Sequence, residues 1–328
     1  MAVDAYQREI KYLRLSVTDR CNYRCAYCVP PEGVKWLAED EILTDAEILR
    51  VLTVLGRLGV SRVRLTGGEP LMRPGLVDLI QRIRGLDVLE DLSLTTNGSL
   101  LTQYAVALKQ AGVNRVNISL DTVEPERFRE LTCGGNVQDV LDGIKAASEA
   151  GLAPVKLNVV LTDAVREEDL AFFREMVRSS PVIVRFIEYM PSHQCRVRAG
   201  MTMTTVAESL ARLGSGALAP PKQNPHGCGP ARYLQSETDQ GMYGFIAPIS
   251  NGYCDRCNRI RLTADGRLRP CLLSDVEVDL RSALRGSATD EQIANLFQQA
   301  LQSKPSAHHL VDHGSAAFRK RGMSQIGG

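Results

Sequence analysis

Short β-branched runs alternate with longer stretches of helical period through the first two-thirds of the chain. Runs rich in Val, Ile and Leu predict strands over 12–17, 62–66, 92–96, 115–120, 154–160 and 182–188. Between them, apolar residues three and four apart predict helices over 45–58, 75–84, 103–110, 137–150 and 167–178. Gly59, Gly112 and Gly151 stand just past three of these helices, where a left-handed cap needs no Cβ. Six strand–helix units in succession imply a parallel sheet with right-handed crossovers.

The residues just past each strand are more informative than the strands themselves. The exits read Thr18-Asp19-Arg20-Cys21, Thr66-Gly67-Gly68-Glu69, Thr95-Thr96-Asn97, Ser119-Leu120-Asp121 and Glu188-Tyr189-Met190, and Asn158 lies within its strand. A (β/α) barrel gathers its functional groups at these strand ends. Six units are too few to close such a barrel, so the expected α/β fold is an incomplete one, open on one side. A doubly wound open sheet is the alternative architecture. Around 199–232 the pattern breaks into Gly, Ala and Pro, a linker composition. Beyond it lies a smaller unit with a capped helix over 289–301. The expected division is a core over 5–225 and a C-terminal unit over 226–328.

Composition narrows the class. A net charge of +1 over 328 residues gives no reason to expect nucleic acid or a membrane surface as partner. No apolar run approaches the ~20 residues that span a bilayer. The opening MAVDAYQREIK lacks the features of a secretory signal, so a cytoplasmic protein is expected. Nine cysteines are then better explained by metal or catalysis than by disulfides. Six fall into two groups, Cys21/Cys25/Cys28 and Cys254/Cys257/Cys271, while Cys133, Cys195 and Cys228 stand alone as structural thiols.

Cys21-x3-Cys25-x2-Cys28 offers three thiolates from one loop directly after the first strand. Structural zinc wants four closed ligands. Three thiolates suit a [4Fe–4S] cube, which then keeps one exchangeable iron for a substrate or cosubstrate. Zinc with a distant fourth ligand remains the alternative. Cys254-x2-Cys257-x13-Cys271 repeats the arrangement. It reads either as a zinc knuckle completed by Cys228 or a histidine, or as a second cube with its own open iron.

The first spacing resembles the radical S-adenosylmethionine superfamily, and Thr66-Gly67-Gly68-Glu69-Pro70 matches that superfamily's glycine-rich motif. VTDRCNYRCAYC, RLTGGEPLMR, TTNG, SLDT, YCDRCNRIRLTADGRLRPCL and the terminal Gly327-Gly328 together resemble the GTP 3′,8-cyclase family of molybdenum cofactor biosynthesis. The likeness runs from about residue 11 to 328. It implies an incomplete (β/α)6 TIM-like barrel with a C-terminal extension carrying the second cluster. It implies two [4Fe–4S] clusters on Cys21, Cys25, Cys28 and on Cys254, Cys257, Cys271, with S-adenosyl-L-methionine on the first and GTP on the second.

By motif, Tyr27, Gly68, Ser119 and Met190 correspond to S-adenosylmethionine contacts. Arg14, Arg64, Thr95, Lys156, Arg259 and Arg261 correspond to GTP contacts, and Gly327 and Gly328 to a tail needed for the radical chemistry. The residues support this as far as they go. Arg14 and Ser16, Arg64 and Thr66, and Lys156 and Asn158 each share one strand face. Inward cations are costly unless an anion meets them, and a triphosphate would. The stretch Phe318-Arg319-Lys320-Arg321 reads as a solvated basic run.

The resemblance also implies partners. These are a flavodoxin or ferredoxin as electron donor, the cyclic pyranopterin monophosphate synthase downstream, and a monomer or homodimer. The rival readings are a radical enzyme acting on a peptide with an auxiliary cluster, and a non-enzymatic module with two structural metals.

Overall fold

The computed structural model describes residues 1–29, 32–190, 198–223, 225, 227, 229–308 and 321–327. Cys195, Cys228 and Gly328 lie outside them.

The six expected strands form at the expected places: β1 (Tyr12–Ser16), β2 (Arg62–Thr66), β3 (Asp91–Thr96), β4 (Arg115–Ser119), β5 (Lys156–Val160) and β6 (Ile183–Ile187). Five more strands come after them: β7 (Arg232–Leu234), β8 (Met242–Ile246), β9 (Arg259–Leu262), β10 (Arg267–Arg269) and β11 (Val278–Asp279). All eleven belong to one mixed sheet in the order β11-β10-β9-β1-β2-β3-β4-β5-β6-β8-β7. β9 and β8 pair parallel to β1 and β6, so eight contiguous strands run one way. Strands from the C-terminal region therefore extend both edges of the sheet built by the first six.

Ten helices are described, α1 (Asp45–Arg57), α2 (Leu76–Arg84), α3 (Leu101–Gln110), α4 (Pro125–Thr132), α5 (Val137–Glu149), α6 (Glu167–Ser179), α7 (Met203–Leu210), α8 (Arg281–Arg285), α9 (Asp290–Gln302) and α10 (Met323–Ile326). α1 begins at a capping box. The Thr44 hydroxyl accepts from Glu47 N at 3.2 Å, and the Glu47 carboxylate accepts from Thr44 N at 2.7 Å. α9 starts in the same way at Thr289, as expected. Two expectations need correction. Residues 203–210, read as linker, form α7, because Val206 and Leu210 find buried places one helical turn apart. Arg321 is not solvated; it pairs with Asp265 at 2.8 Å and Glu277 at 2.9 Å.

The core lies between sheet and helices. Leu13, Leu15, Val63, Leu65, Leu92, Leu94, Val116 and Ile118 alternate outward and are fully buried against α1–α5. The opposite parity carries Arg14, Arg64, Lys156 and Arg185. That face is concave. On a flat sheet the four steps from β2 to β6 would separate Arg64 and Arg185 by about 19 Å, yet Arg64 is the strongest charge acting on Arg185.

Among the described residues no helix is long and apolar enough to cross a membrane.

Candidate active site between two cysteine trios

The topology puts the two trios at opposite ends of the concave face. Cys21, Cys25 and Cys28 follow β1 at its C-terminal end. Cys254 and Cys257 precede β9, which is parallel to β1, and Cys271 follows β10, which runs back along β9. The second trio therefore sits at the N-terminal ends of the parallel strands. A five-residue strand separates the ends by about 17 Å.

Each trio converges on itself. Burial raises the Cys25 thiol, and the charges next felt are those of Cys28 and Cys21. Burial likewise raises Cys254, opposed by the His308 backbone N–H and reinforced by Cys271 and Cys257. Three neighbouring thiolates are the donor set of a site-differentiated [4Fe–4S] cube, so the residues fit that cofactor. Among the described residues no three His, Cys, Asp or Glu side chains converge on one single-ion position. Thiolates of a cube bind different irons and need no such point. His308, which lines the cavity of the second trio, turns Nε2 onto the Pro248 carbonyl at 2.7 Å.

Around the first trio, backbones pack tightly. Gly68 N donates to Thr18 O at 2.9 Å and Glu69 N to Arg20 O at 2.7 Å. A Cβ on Gly68 would stand 2.3 Å from Arg20 O and 2.5 Å from Asp19 O. The glycine is thus required by the cysteine loop itself, a reason the sequence does not reveal. Glu69, fully buried, accepts from Leu71 N, Thr96 Oγ1 and Asn97 N and ties this loop to the end of β3. Burial pushes its carboxyl up to about 7 against those three hydrogen bonds. Tyr27 donates to Asp121. Burial raises Asp121 to about 6, while the Val160 N–H and Tyr27 oppose the shift. Ser119 closes β4 opposite Asn158.

Between the trios runs a row of cations. Arg261, Arg14 and Arg64 are register partners on three adjacent parallel strands, and Ser93 continues the row. Arg64 Nε donates to Ser93 Oγ at 3.2 Å and its guanidinium lies 5.4 Å from the Tyr12 ring centre. Burial and then Arg259 bring Arg261 down to about 10. Burial and then Arg261 hold Arg14 well below its ordinary value. Lys156 is 2% exposed, 5.5 Å from the Tyr233 ring centre, and burial, Arg185, Arg115 and Arg64 in turn depress it to about 6. The Thr95 hydroxyl is buried with no partner among the described residues. Such a surface is electrostatically incomplete until an anion occupies it.

The C-terminal tail reaches this row. Arg14 donates to the Gly327 carbonyl at 3.1 and 3.3 Å, and Arg261 donates to the carbonyls of Ile326 and Gly327. Gly327 has φ 68°, and a Cβ there would lie 2.7 Å from Thr66 Cγ2. Gly328 is outside the described residues.

At the second trio, Arg259 Nη2 reaches Cys257 Sγ at 3.9 Å and stacks on Tyr253 at 5.0 Å. Burial alone would raise the Cys257 thiol, but Arg259 and then Lys304 hold it at about 7. Met190, expected near the first trio, lines the cavity of the second together with Arg14, Arg259 and Arg261.

Sequence reasoning missed Arg185, Arg115 and Lys304. Arg185 donates to Asn117 Oδ1 at 2.7 Å and Asn158 Oδ1 at 2.5 Å on the inner face. A charged residue at inward parity in the apolar run IVRFI was the available signal. Arg115 is held by Asp91 at 2.5 Å.

Comparison with known proteins adds what geometry leaves open. Residues 15–177 match the Radical SAM superfamily and residues 182–310 match Molybdenum Cofactor Synthesis C. GTP 3′,8-cyclase of Heliobacterium modesticaldum is 46% identical over 99% of this chain and all of its own length. That of Pelotomaculum thermopropionicum is 46% identical over 99% of each chain.

The chain belongs to the GTP 3′,8-cyclase family.

In fold, it is similar to Streptococcus suis SuiB bound to S-adenosylmethionine, with a TM-score of 0.64 at 14% identity, over 90% of this chain and 68% of that one. The cyclase family is thus matched along the whole chain, both trios included.

Proposed function

We propose that this protein is a GTP 3′,8-cyclase that catalyses the first step of molybdenum cofactor biosynthesis. When bound, the first [4Fe–4S] cluster supplies the electron that cleaves S-adenosylmethionine to a 5′-deoxyadenosyl radical, which takes the 3′ hydrogen of GTP and leads to 3′,8-cyclo-7,8-dihydro-GTP. The observation that carries this reading is the in-register row Arg261–Arg14–Arg64, set between two thiolate trios at opposite ends of one concave face.

In this reading the sheet is an incomplete (β/α)6 barrel, a core over 5–225, and the unit over 226–328 carries the second cluster. Cys21, Cys25 and Cys28 hold the first cluster and Cys254, Cys257 and Cys271 the second. Tyr27, Gly68 and Ser119 shape the S-adenosylmethionine site, and Met190 reaches it from the cavity of the second trio. Arg14, Arg64, Thr95, Lys156, Arg259 and Arg261 bind GTP, with Arg185 added from its place on the same face. Guanidinium forks suit phosphate oxygens, and the buried row gives a triphosphate its counter-charge. Gly327 and Gly328 serve the radical chemistry; the Gly327 carbonyl meets Arg14, and a Cβ there would collide with Thr66 Cγ2. The protein's catalytic contribution is proximity and exclusion of water. A flavodoxin or ferredoxin delivers electrons, cyclic pyranopterin monophosphate synthase consumes the product, and the enzyme works in the cytoplasm as a monomer or homodimer.

The test is anaerobic incubation of the iron-reconstituted protein with GTP, S-adenosylmethionine and a strong reductant. 5′-Deoxyadenosine and the cyclised nucleotide should form together. 5′-Deoxyadenosine without modified GTP would leave the radical reading standing and break the substrate assignment.

A further inference from the structure

Lys304 follows the last turn of α9, where its N–H bonds the Leu301 carbonyl at 3.1 Å. The residue is 3% exposed. A buried ammonium needs an acceptor for each of its three N–H groups and a counter-charge. The acceptors are the Pro270 carbonyl at 2.6 Å, the Arg259 carbonyl at 2.8 Å and the Cys257 sulfur. All three belong to the second trio's own loops, for Pro270 precedes Cys271 and Arg259 stands two residues past Cys257. Among the described residues that line this cavity there is no Asp or Glu, and the thiols of the trio face Lys304 there.

At Cys25 of the first trio the strongest charges are those of Cys28, Cys21, Asp121 and Cys133. Arg24 acts on Cys21, but only after burial, a backbone N–H and Glu69, and it is exposed. Hydrogen bonds and positive charge at cluster sulfurs favour the reduced, more negative cluster, and burial without them disfavours it.

We propose that Lys304 is a positioning residue that acts through Cys257 to raise the reduction potential of the cluster of the second trio. This rests on the reading that both trios carry [4Fe–4S] clusters.

The test is an EPR-monitored redox titration of the full reconstituted chain and of Lys304→Met. Cys25→Ala and Cys257→Ala serve to assign each cluster's signal. The wild type gives the reference potential of its second cluster. In Lys304→Met the reduction equilibrium of that cluster should weaken at least tenfold, about 59 mV for one electron, with the first cluster unmoved. Lys304→Arg should restore most of the loss. An unchanged second-cluster potential in Lys304→Met overturns the proposal. If Lys304→Met does not assemble the cluster, Lys304→Gln is read against the same criterion. Loss of the second cluster in both neutral variants assigns Lys304 a merely structural role and also overturns it. About four irons in the wild type, with zinc at the second trio, would instead sink the two-cluster reading.

Discussion

The strongest charges on Cys25 are those of Cys28, Cys21 and Asp121, whereas Cys257 lies against Arg259 and the buried Lys304. The ligand types and their number are the same. The direction in which each thiol is pushed is opposite, up at Cys25 and down to about 7 at Cys257. What differs is what the sheet delivers to each end. The C-terminal strand ends supply Glu69 and Asp121, the N-terminal ends supply Arg259 and the neighbouring Arg261, and the end of α9 adds Lys304. The same three-thiol donor set therefore meets a different electrostatic environment at each end of the sheet.

The sharpest way to break this comparison removes one ligand at a time. Cys25→Ala should lower iron from about eight to about four per chain and abolish 5′-deoxyadenosine formation. Cys257→Ala should remove the other half of the iron, keep cleavage of S-adenosylmethionine, and lose cyclisation. Iron analysis with quantification of 5′-deoxyadenosine and nucleotide product separates the two. Full cyclisation by Cys257→Ala would contradict a division of labour between the trios.

A smaller change should act on the first trio alone. In Gly68→Ala the new methyl would meet Arg20 O and Asp19 O at 2.5 Å or less, backbone atoms with no soft side chain to move. Overpacking of this kind costs about 1–3 kcal/mol, here spent on displacing the cysteine loop. The expected result is a weakened EPR signal from the first cluster beside an unchanged second one. Equal loss of both signals would mean that the loop is not the element strained.

The cations near the second trio predict a pH effect. Lys156 titrates at about 6 in the folded chain, so it is neutral at pH 7 to 8. A triphosphate would restore its ammonium and raise that value, so binding of GTP should take up a proton. Affinity should fall as pH rises above 6, by at most tenfold per unit for one proton. Calorimetry in buffers of different ionisation enthalpy measures the uptake, and Lys156→Met should abolish it. Proton-neutral binding by the unmodified protein would remove Lys156 from the anion site.

The legible parts of this molecule were those written locally. β1 to β6 were readable because each pairs an apolar outward parity with polar inward residues, and Arg14, Arg64 and Lys156 showed their faces for that reason. α4 was not readable, since only Phe128, Leu131 and Thr132 of its eight residues are buried and its start rests on the Glu124 cap and Pro125. The pairing of β9 with β1 joins residues that lie far apart in sequence, and no periodicity encodes that neighbour. Lys304 was invisible on the same ground: in Gln302-Ser303-Lys304-Pro305 it reads as a helix-end lysine, and only the fold brings Cys257 to it. The tail was legible as a motif but not as a contact, because Gly327 acts through its carbonyl.

The smallest expected effect is the strictest check on the first trio. Cys133 caps α4 with φ 56°, is exposed, and its charge is the last among those that act on Cys25. Were it a fourth ligand, the first cluster would be closed and S-adenosylmethionine would have no iron to bind. Its thiol instead points back to the Glu130 carbonyl at 3.8 Å. Cys133→Ser should leave iron content, both EPR signals and 5′-deoxyadenosine formation unchanged, with stability within about 0.5 kcal/mol, as for other exposed substitutions. A loss of half the iron in that variant would turn the first trio into a closed quartet. The contrast between an open radical-generating cluster and its cation-held counterpart would then disappear.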